Sequence, residues 1–374
     1  NGEQPIFILE EATPSIYTYS ESGTCLANYG NLRLRGIDQQ RINMTLNGIP
    51  LNDMVDHGVF FSNFTDIGNS IESMQVQRGV GTSTNGVASY AGSINFESIN
   101  LRNNPAGGSV EVGLGSFNSR RFNASASTGM VNDKWAAYTS FSRLYSDGFR
   151  DNTFTDAYSF FLSVGYFGEK DFIKINAFDA NSKNGLGYGP VLEADLLNDP
   201  TTNYLNENDE DDFGQQLIQL QHTHLFSDEL SITSSIYYGS AGGDFLYTYP
   251  DGDGGFDQIN YPLYNDHYGV MSNAFFTPNE ALEFSAGVHA YTFKRVNEES
   301  TGPDFANPYY RDETVKDEIS AFAKAKVSFG DLSLFGDIQV RSTNMTLAPD
   351  YGFIGVAQQG DIAKHWTFIN PKIG

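Results

Sequence analysis

The stretch ALEFSAGVHAYTF, residues 281–293, puts Leu282, Phe284, Ala286 and Val288 on one side of an extended chain and Glu283, Ser285 and His289 on the other. Strand side chains alternate between faces with a period of two, so this rhythm predicts a half-buried β-strand. The rhythm recurs. RFNASASTGM (121–130) sets Phe122, Ala124, Ala126, Thr128 and Met130 against Asn123, Ser125 and Ser127. ELSITSSIYYG (229–239) sets Leu230, Ile232, Ile236 and Tyr238 against Ser231, Thr233 and Ser235, and DEISAFAKAKVSFG (317–330) sets Ile319, Ala321, Ala323, Ala325 and Val327 against Ser320, Lys324 and Lys326. From about residue 101 we count eleven such strands, and a twelfth begins at HWTFINPKIG (365–374).

The connections alternate too. Tight turns at MVNDKW, FGEKDF, FSDEL, TPNEAL and FGDLS oppose long polar stretches at 183–212, 241–263, 296–316 and 344–364. Short turns on one side and long loops on the other are the sidedness of an outer-membrane barrel, periplasmic against extracellular. Aromatic pairs near predicted strand ends, Tyr166 with Phe167, Tyr237 with Tyr238, Phe275 with Phe276 and Tyr291 with Phe293, are expected to form the interfacial girdles. The competing architecture is a soluble β-sandwich, in which strands of this length joined by such long loops are unusual. On the barrel reading Glu111, Glu283, Lys324, Lys326, Asp337 and Arg341 face the lumen, where charge meets water.

Composition narrows the function. The 374 residues carry 46 acidic and 22 basic side chains, a net charge of -24, which argues against a nucleic-acid partner. The sequence has one cysteine, Cys25, so thiols alone supply no intrachain disulfide or metal cluster. No apolar run approaches the ~18 residues of a membrane helix, whereas barrel strands hide their hydrophobicity by alternation. The start lacks a basic segment followed by an apolar one, so any signal peptide lies upstream or has been removed.

QRGVGTSTNG (77–86) has glycines spaced as in a phosphate loop, but Val87 and Ala88 stand where that motif needs its lysine and hydroxyl. No catalytic triad is readable, so no enzyme is expected, and nothing calls for a cofactor. His57 has no partner at ligand spacing, His222 and His224 share one strand face close to a turn, and no metal site is assigned. The acidic stretches NENDEDDFG and YPDGDGGFD complete no calcium loop and are read as solvated surface loops.

The first hundred residues differ: GNLRLRGI, RINMTLNGIPLND, SIESMQVQRG and SYAGSINFES are short strand-like runs, and QPIFILEEA before Pro14 suits a short helix. Together with PSIYTYSESG, LRLRGID, IESMQVQRGVGTSTNG and AGSINFES, in that order, this region resembles the plug domain of TonB-dependent outer-membrane receptors, especially those of the Bacteroidota. The later chain is similar more loosely, through SDGFRD and FINPKIG.

The resemblance implies an all-β transmembrane antiparallel barrel, twenty-two strands in the full protein, with a small mixed α+β plug in its lumen. It divides the sequence into a plug, 1–103, and the N-terminal part of the barrel, 104–374. Twelve strands would enclose roughly 30% of the cross-section of twenty-two, too little for the plug, so the sequence is expected to continue in a longer protein. The resemblance also implies a bacterial outer-membrane location and active import of a small-molecule ligand. The expected partners are TonB, reached through a segment upstream of Asn1, outer-membrane lipid and, as a further candidate, a surface lipoprotein. A ferric siderophore or similar metal chelate is favoured as cargo. The alternatives are import of glycans or peptides, or a non-importing barrel that serves as an assembly partner.

By resemblance Arg35 and Arg78 lock the plug to glutamates of later barrel strands. Met54, Asp56, His57, Phe60, Phe61 and Asn63 in the apical loop 51–64, with Thr84, Asn85 and Tyr90 in a second loop, are the candidate ligand residues. Gly36, Gly48, Gly79, Gly81 and Gly86 are expected to supply tight turns.

Overall fold

The computed structural model describes residues 4–26, 28–79, 90–250, 255–301, 305–351 and 360–374. The chain opens with the expected helix, α1 (Pro5–Ala12), whose proline occupies the first turn, where no amide hydrogen is needed. The strands β1 (Ile16–Ser20), β2 (Gly30–Leu34) and β3 (Ile37–Asp38) form an antiparallel sheet. A second sheet contains β4 (Ile42–Leu46), β5 (Ile49–Pro50), β6 (Ile71–Arg78) and β7 (Gly92–Ser98) in the order β5-β4-β7-β6, with β4 parallel to β7. Every residue of β4 is buried, and Leu32, Leu34, Ile42, Met44, Ile94 and Phe96 form the centre of the plug core. Asn47 and Gly48, both at positive φ, close the β4–β5 hairpin in two residues, the Asn-Gly turn that strand twist favours.

The remaining strands form one large antiparallel sheet. They are β8 (Gly107–Leu114), β9 (Arg120–Ser127), β10 (Trp135–Ser146), β11 (Thr155–Phe167), β12 (Asp171–Gly185), β13 (Glu210–Leu225) and β14 (Leu230–Pro250), followed by β15 (Phe256–Asn260), β16 (Leu263–Asn279), β17 (Leu282–Thr301), β18 (Asn307–Phe329), β19 (Leu332–Tyr351) and β20 (Ile362–Ile373). Thirteen segments make twelve staves. Both β15 and β16 pair with β14 and with β17, in one unbroken register: Leu246 faces Asn260 and Gly243 faces Leu263. The interruption falls at Tyr261 and Pro262, where proline has no amide to donate. The count therefore agrees with the alternation in the sequence.

Polarity across the wall is inverted relative to a water-soluble sheet. Ile236 is 55% exposed beside Ser235 at 5%, and Ile319 is 62% exposed beside Glu318 at 5%. Apolar side chains face outward and polar ones face the plug, as a lipid-facing wall around a polar lumen requires and a sandwich does not. No helix among the described residues is long and apolar enough to cross a membrane.

Three expectations need correction. Tyr237, Tyr291 and Phe293 are not girdle residues; their strand positions point inward, and they pack, buried, around His267 and His289. Tyr166 and Phe276 do face outward near the short turns, each beside a further aromatic: Trp135 lies 4.9 Å from Tyr166 and Phe284 6.2 Å from Phe276. Most of the long polar stretches are not loops either. Strands β13 to β19 extend into them, and among the described residues the β12–β13 connection, with the short helix α2 (Glu193–Asn198), is the largely irregular part. In NENDEDDFG, Asp209 and Asp211 are buried rather than solvated: Asp209 accepts from the Thr248 amide and hydroxyl, and Asp211 accepts from the Tyr29 hydroxyl at 2.7 Å. The residues 251–254 of YPDGDGGFD lie outside the described residues.

Candidate binding chamber between plug and wall

The loop 51–64 is built from its own side chains. Asn52 ties its base to β4, accepting from the Met44 amide at 2.7 Å and donating to the Ile42 carbonyl at 3.0 Å and the His57 carbonyl at 2.8 Å. Asp53 Oδ1 accepts from the amides of Val55 and Asp56, an Asx turn that drives the chain round a tight corner. His57, at φ 62°, completes the corner, and its amide returns to the Asp53 carbonyl at 3.0 Å. Burial and the nearby Lys316 ammonium hold the His57 imidazole below its ordinary pKa.

The wall pins this corner at three points. Arg295 Nη1 lies 2.6 Å from Asp56 Oδ2 and 3.4 Å from Asp53 Oδ1. Lys316 Nζ donates to the Met54 carbonyl at 2.6 Å, and the buried Met54 side chain packs with Tyr291 and Phe293. A second latch holds the end of the loop: Asp66 accepts from Arg121 Nε at 2.9 Å and from Ser142 Oγ at 2.5 Å, and Phe64 stacks on Phe178 with centroids 5.6 Å apart. In the plug's β1–β2 connection, Asn28 donates to the wall carbonyls of Thr153 and Gly185. At the short-turn end Lys174 Nζ donates to Ser98 Oγ and the Ile99 carbonyl.

Between plug and wall lies a cavity of about 450 Å³. Asp56, Phe60 and Asn63 of the predicted loop line it, opposite Tyr188, Phe245, Tyr261 and His267 of the wall. Its volume and mixture of aromatic faces with a few polar groups suit a small-molecule site. Acidic groups outnumber basic ones in the lining: Glu21, Asp53 and Asp56 against Arg295. Burial pushes the Glu21 carboxyl up to about 7 against the opposing pull of Arg150.

Of the candidate ligand residues, then, three reach the cavity. Met54 and Phe61 are buried anchors beneath it, and His57 shapes the corner. Tyr90 is exposed at the border of segment 80–89; Thr84, Asn85, Gly81 and Gly86 belong to that segment and lie outside the described residues. Gly36, Gly48 and Gly79 all have positive φ, as tight turns require.

Arg35 stands at φ 53° in the two-residue turn between β2 and β3, and Arg78 ends β6; with Gln75, Gln77 and Ser93 they line an open recess. Among the described residues neither guanidinium meets a wall carboxylate within ion-pair distance. The plug–wall ion pairs that are described have the opposite polarity, plug carboxylate to wall arginine. Asp53, Asp66, Arg121, Arg295 and Lys316 went unread in the sequence because each contact joins residues far apart along the chain.

Residues 8–93 match the family model described as TonB-dependent Receptor Plug Domain. No curated protein matches the sequence. Among solved structures, the open form of the ferric-catecholate import receptor Fiu from E. coli K12 is 17% identical, with a TM-score of 0.74 over 92% of this chain and 61% of that one. The unliganded ferric citrate transporter FecA is 12% identical, with a TM-score of 0.79 over 99% of this chain and 57% of that one. The copper transporter OprC is 16% identical, with a TM-score of 0.77 over 98% of this chain and 56% of that one. The chain thus spans somewhat more than half the length of these solved structures. Residues 8–93 are therefore a TonB-dependent receptor plug domain, held against a wall with the barrel fold of the outer-membrane receptors of that family.

Proposed function

We propose that the chain takes part in active import of a scarce ligand across the outer membrane, with a ferric siderophore or similar metal chelate as the favoured cargo. Residues 1–103 act as the movable plug and 104–374 as wall. The ligand enters the chamber over loop 51–64, and a TonB-type partner then pulls the plug away, with no covalent chemistry on the ligand. The observation that carries this reading is the chamber itself, since the loop that forms part of its lining is also the loop that Arg295, Lys316 and Met54 fasten to the wall. Occupancy of the chamber is thereby coupled to the contacts that displacement must break. The names of Fiu, FecA and OprC, which speak of ferric or copper cargo, support the metal-chelate class. Arg35 and Arg78 keep their proposed part as a lock between plug and barrel wall.

The test is uptake by a strain deleted for the gene and complemented with the full-length protein, supplied with labelled ferric chelates, glycans or corrinoids. Iron accumulation that requires the gene and stops when the proton gradient is collapsed is the expected result. Gene-dependent uptake of a glycan or corrinoid alone would replace the cargo class, and the absence of any gene-dependent uptake would overturn import.

A further inference from the structure

Outside the lumen, three side chains converge on one spot. His222 and His224, two residues apart on β13, present their rings to the same face, and Asp171 at the start of β12 lies directly opposite His224 in the ladder. Asp171 Oδ1 is 2.9 Å from His222 Nε2 and 2.7 Å from His224 Nδ1, and all three donor atoms lie within 4.8 Å of one another. The face is the outer one: Ile173 on β12 and Ile218 and Leu220 on β13 share it and are exposed. Both strands reach this spot beside short turns, at 168–170 and 226–229, so the spot is the periplasmic rim, just below the apolar belt. The rings stay open to solvent, and Phe226 sets its ring edge-to-face on His224, with centroids 4.5 Å apart, which limits how that imidazole turns.

We propose that Asp171, His222 and His224 bind a divalent transition-metal ion, Zn²⁺ or its nitrogen-preferring neighbours Cu²⁺ and Ni²⁺, on the outer rim of the barrel. Two imidazole nitrogens and a carboxylate oxygen are the donor set these ions take, and three protein ligands leave a fourth position for water. Tetrahedral coordination at about 2.0–2.2 Å separates ligand atoms by about 3.3–3.6 Å, so the Asp171 contacts, now 2.7 and 2.9 Å, open by roughly 0.4–0.9 Å to admit the ion. The carboxylate offsets part of the ion's charge, and the bound ion staples β12 to β13 where the wall leaves the membrane. The site is separate from the lumen and independent of any cargo.

The experiment uses the full-length protein in detergent, stripped with a chelator and titrated with CoCl₂ and then ZnCl₂. The wild type should take up one more equivalent than the His222→Gln/His224→Gln double variant. That equivalent should show the intense visible absorption of four-coordinate Co²⁺, and Zn²⁺ should displace it. Asp171→Asn or either single histidine variant should weaken Zn²⁺ by about a hundredfold or more, beyond the tenfold to hundredfold typical of changes outside the ligand set. Equal stoichiometry and spectra in wild type and double variant would overturn the assignment. A check free of variants is anomalous diffraction from wild-type crystals soaked in ZnCl₂, where a peak between the three side chains is expected and its absence refutes the site.

Discussion

Replacing Arg121 by Met should loosen the plug far more than replacing Arg121 and Asp66 together. Asp66 is almost wholly buried and accepts from the Arg121 guanidinium and the Ser142 hydroxyl. Removing the guanidinium leaves a carboxylate in the interior with one neutral donor, a loss on the order of 3–5 kcal/mol for breaking a buried pair from one side. At about 1.4 kcal/mol per factor of ten, the docked plug loses at least a hundredfold in its equilibrium. Asp66→Asn should cost less, because Arg121 keeps the half-exposed Glu111 at 2.8 Å. The double variant Asp66→Asn/Arg121→Met removes both charges, and replacement of a buried pair by uncharged groups of similar volume is often near neutral. The coupling energy should therefore exceed about 2 kcal/mol, within the range known for residues in one network. Cys25, the one cysteine of this sequence, lies on the plug and is partly buried, so its alkylation rate across a urea series reports plug release. Equal costs for the Arg121 variant and the double variant would show that Asp66 is not held by charge, and the reasoning would fail.

Charge-reversing Arg35 and Arg78 together should loosen the plug and raise antibiotic leakage through the outer membrane; unchanged permeability at normal expression would remove them from the proposed lock. Glu21 supplies a pH test: its carboxyl is raised from 4.5 to about 7 in the fold, so its contribution is full below about 4.5 and is lost as pH rises through about 7. The urea midpoint for plug release should fall between about pH 4.5 and pH 7 and level off above that, and the fall should flatten in Glu21→Gln, whereas an identical slope in the variant would locate the effect elsewhere. Gly48→Ala should cost about 1–2 kcal/mol, because Gly48 sits at φ 82°, where a Cβ is strained; the added methyl also comes within 3.1 Å of the flexible Met271 Cε. An unshifted urea midpoint would show that this hairpin tolerates a side chain.

The wall was legible because alternation is a local signal: each strand announces its faces within a few residues, and twelve staves follow from counting. The phase of the alternation at Tyr237 and Tyr291 was equally local, yet an aromatic near a strand end suggests a girdle whichever face it occupies. Only burial separates the two roles. The acidic stretch at 206–214 misled for a related reason, because a carboxylate that will be satisfied by Tyr29 or Thr248 looks in sequence like one that will be hydrated. The latches were hidden by distance along the chain: Asp66 and Arg121 are 55 residues apart, and Asp56 and Arg295 are 239 apart. For the rim cluster, His-x-His gave half the pattern, and Asp171 joins it only through the β12–β13 register.

If the chain takes up cargo as proposed, the unbroken register past Pro262 bears on how that cargo could change. The 23 residues of β18 exceed the roughly 9–11 that a tilted strand needs to cross a bilayer, leaving about 12 residues, or ~40 Å of strand. Where pliable loops would mould themselves to a guest, this wall offers a stiff plate ribbed by its neighbours. A stiff plate spends little ordering entropy when a guest arrives and recognises few shapes. New cargo would then be acquired by exchanging single side chains such as Phe245 or Tyr261 on a fixed backbone, in small heritable steps.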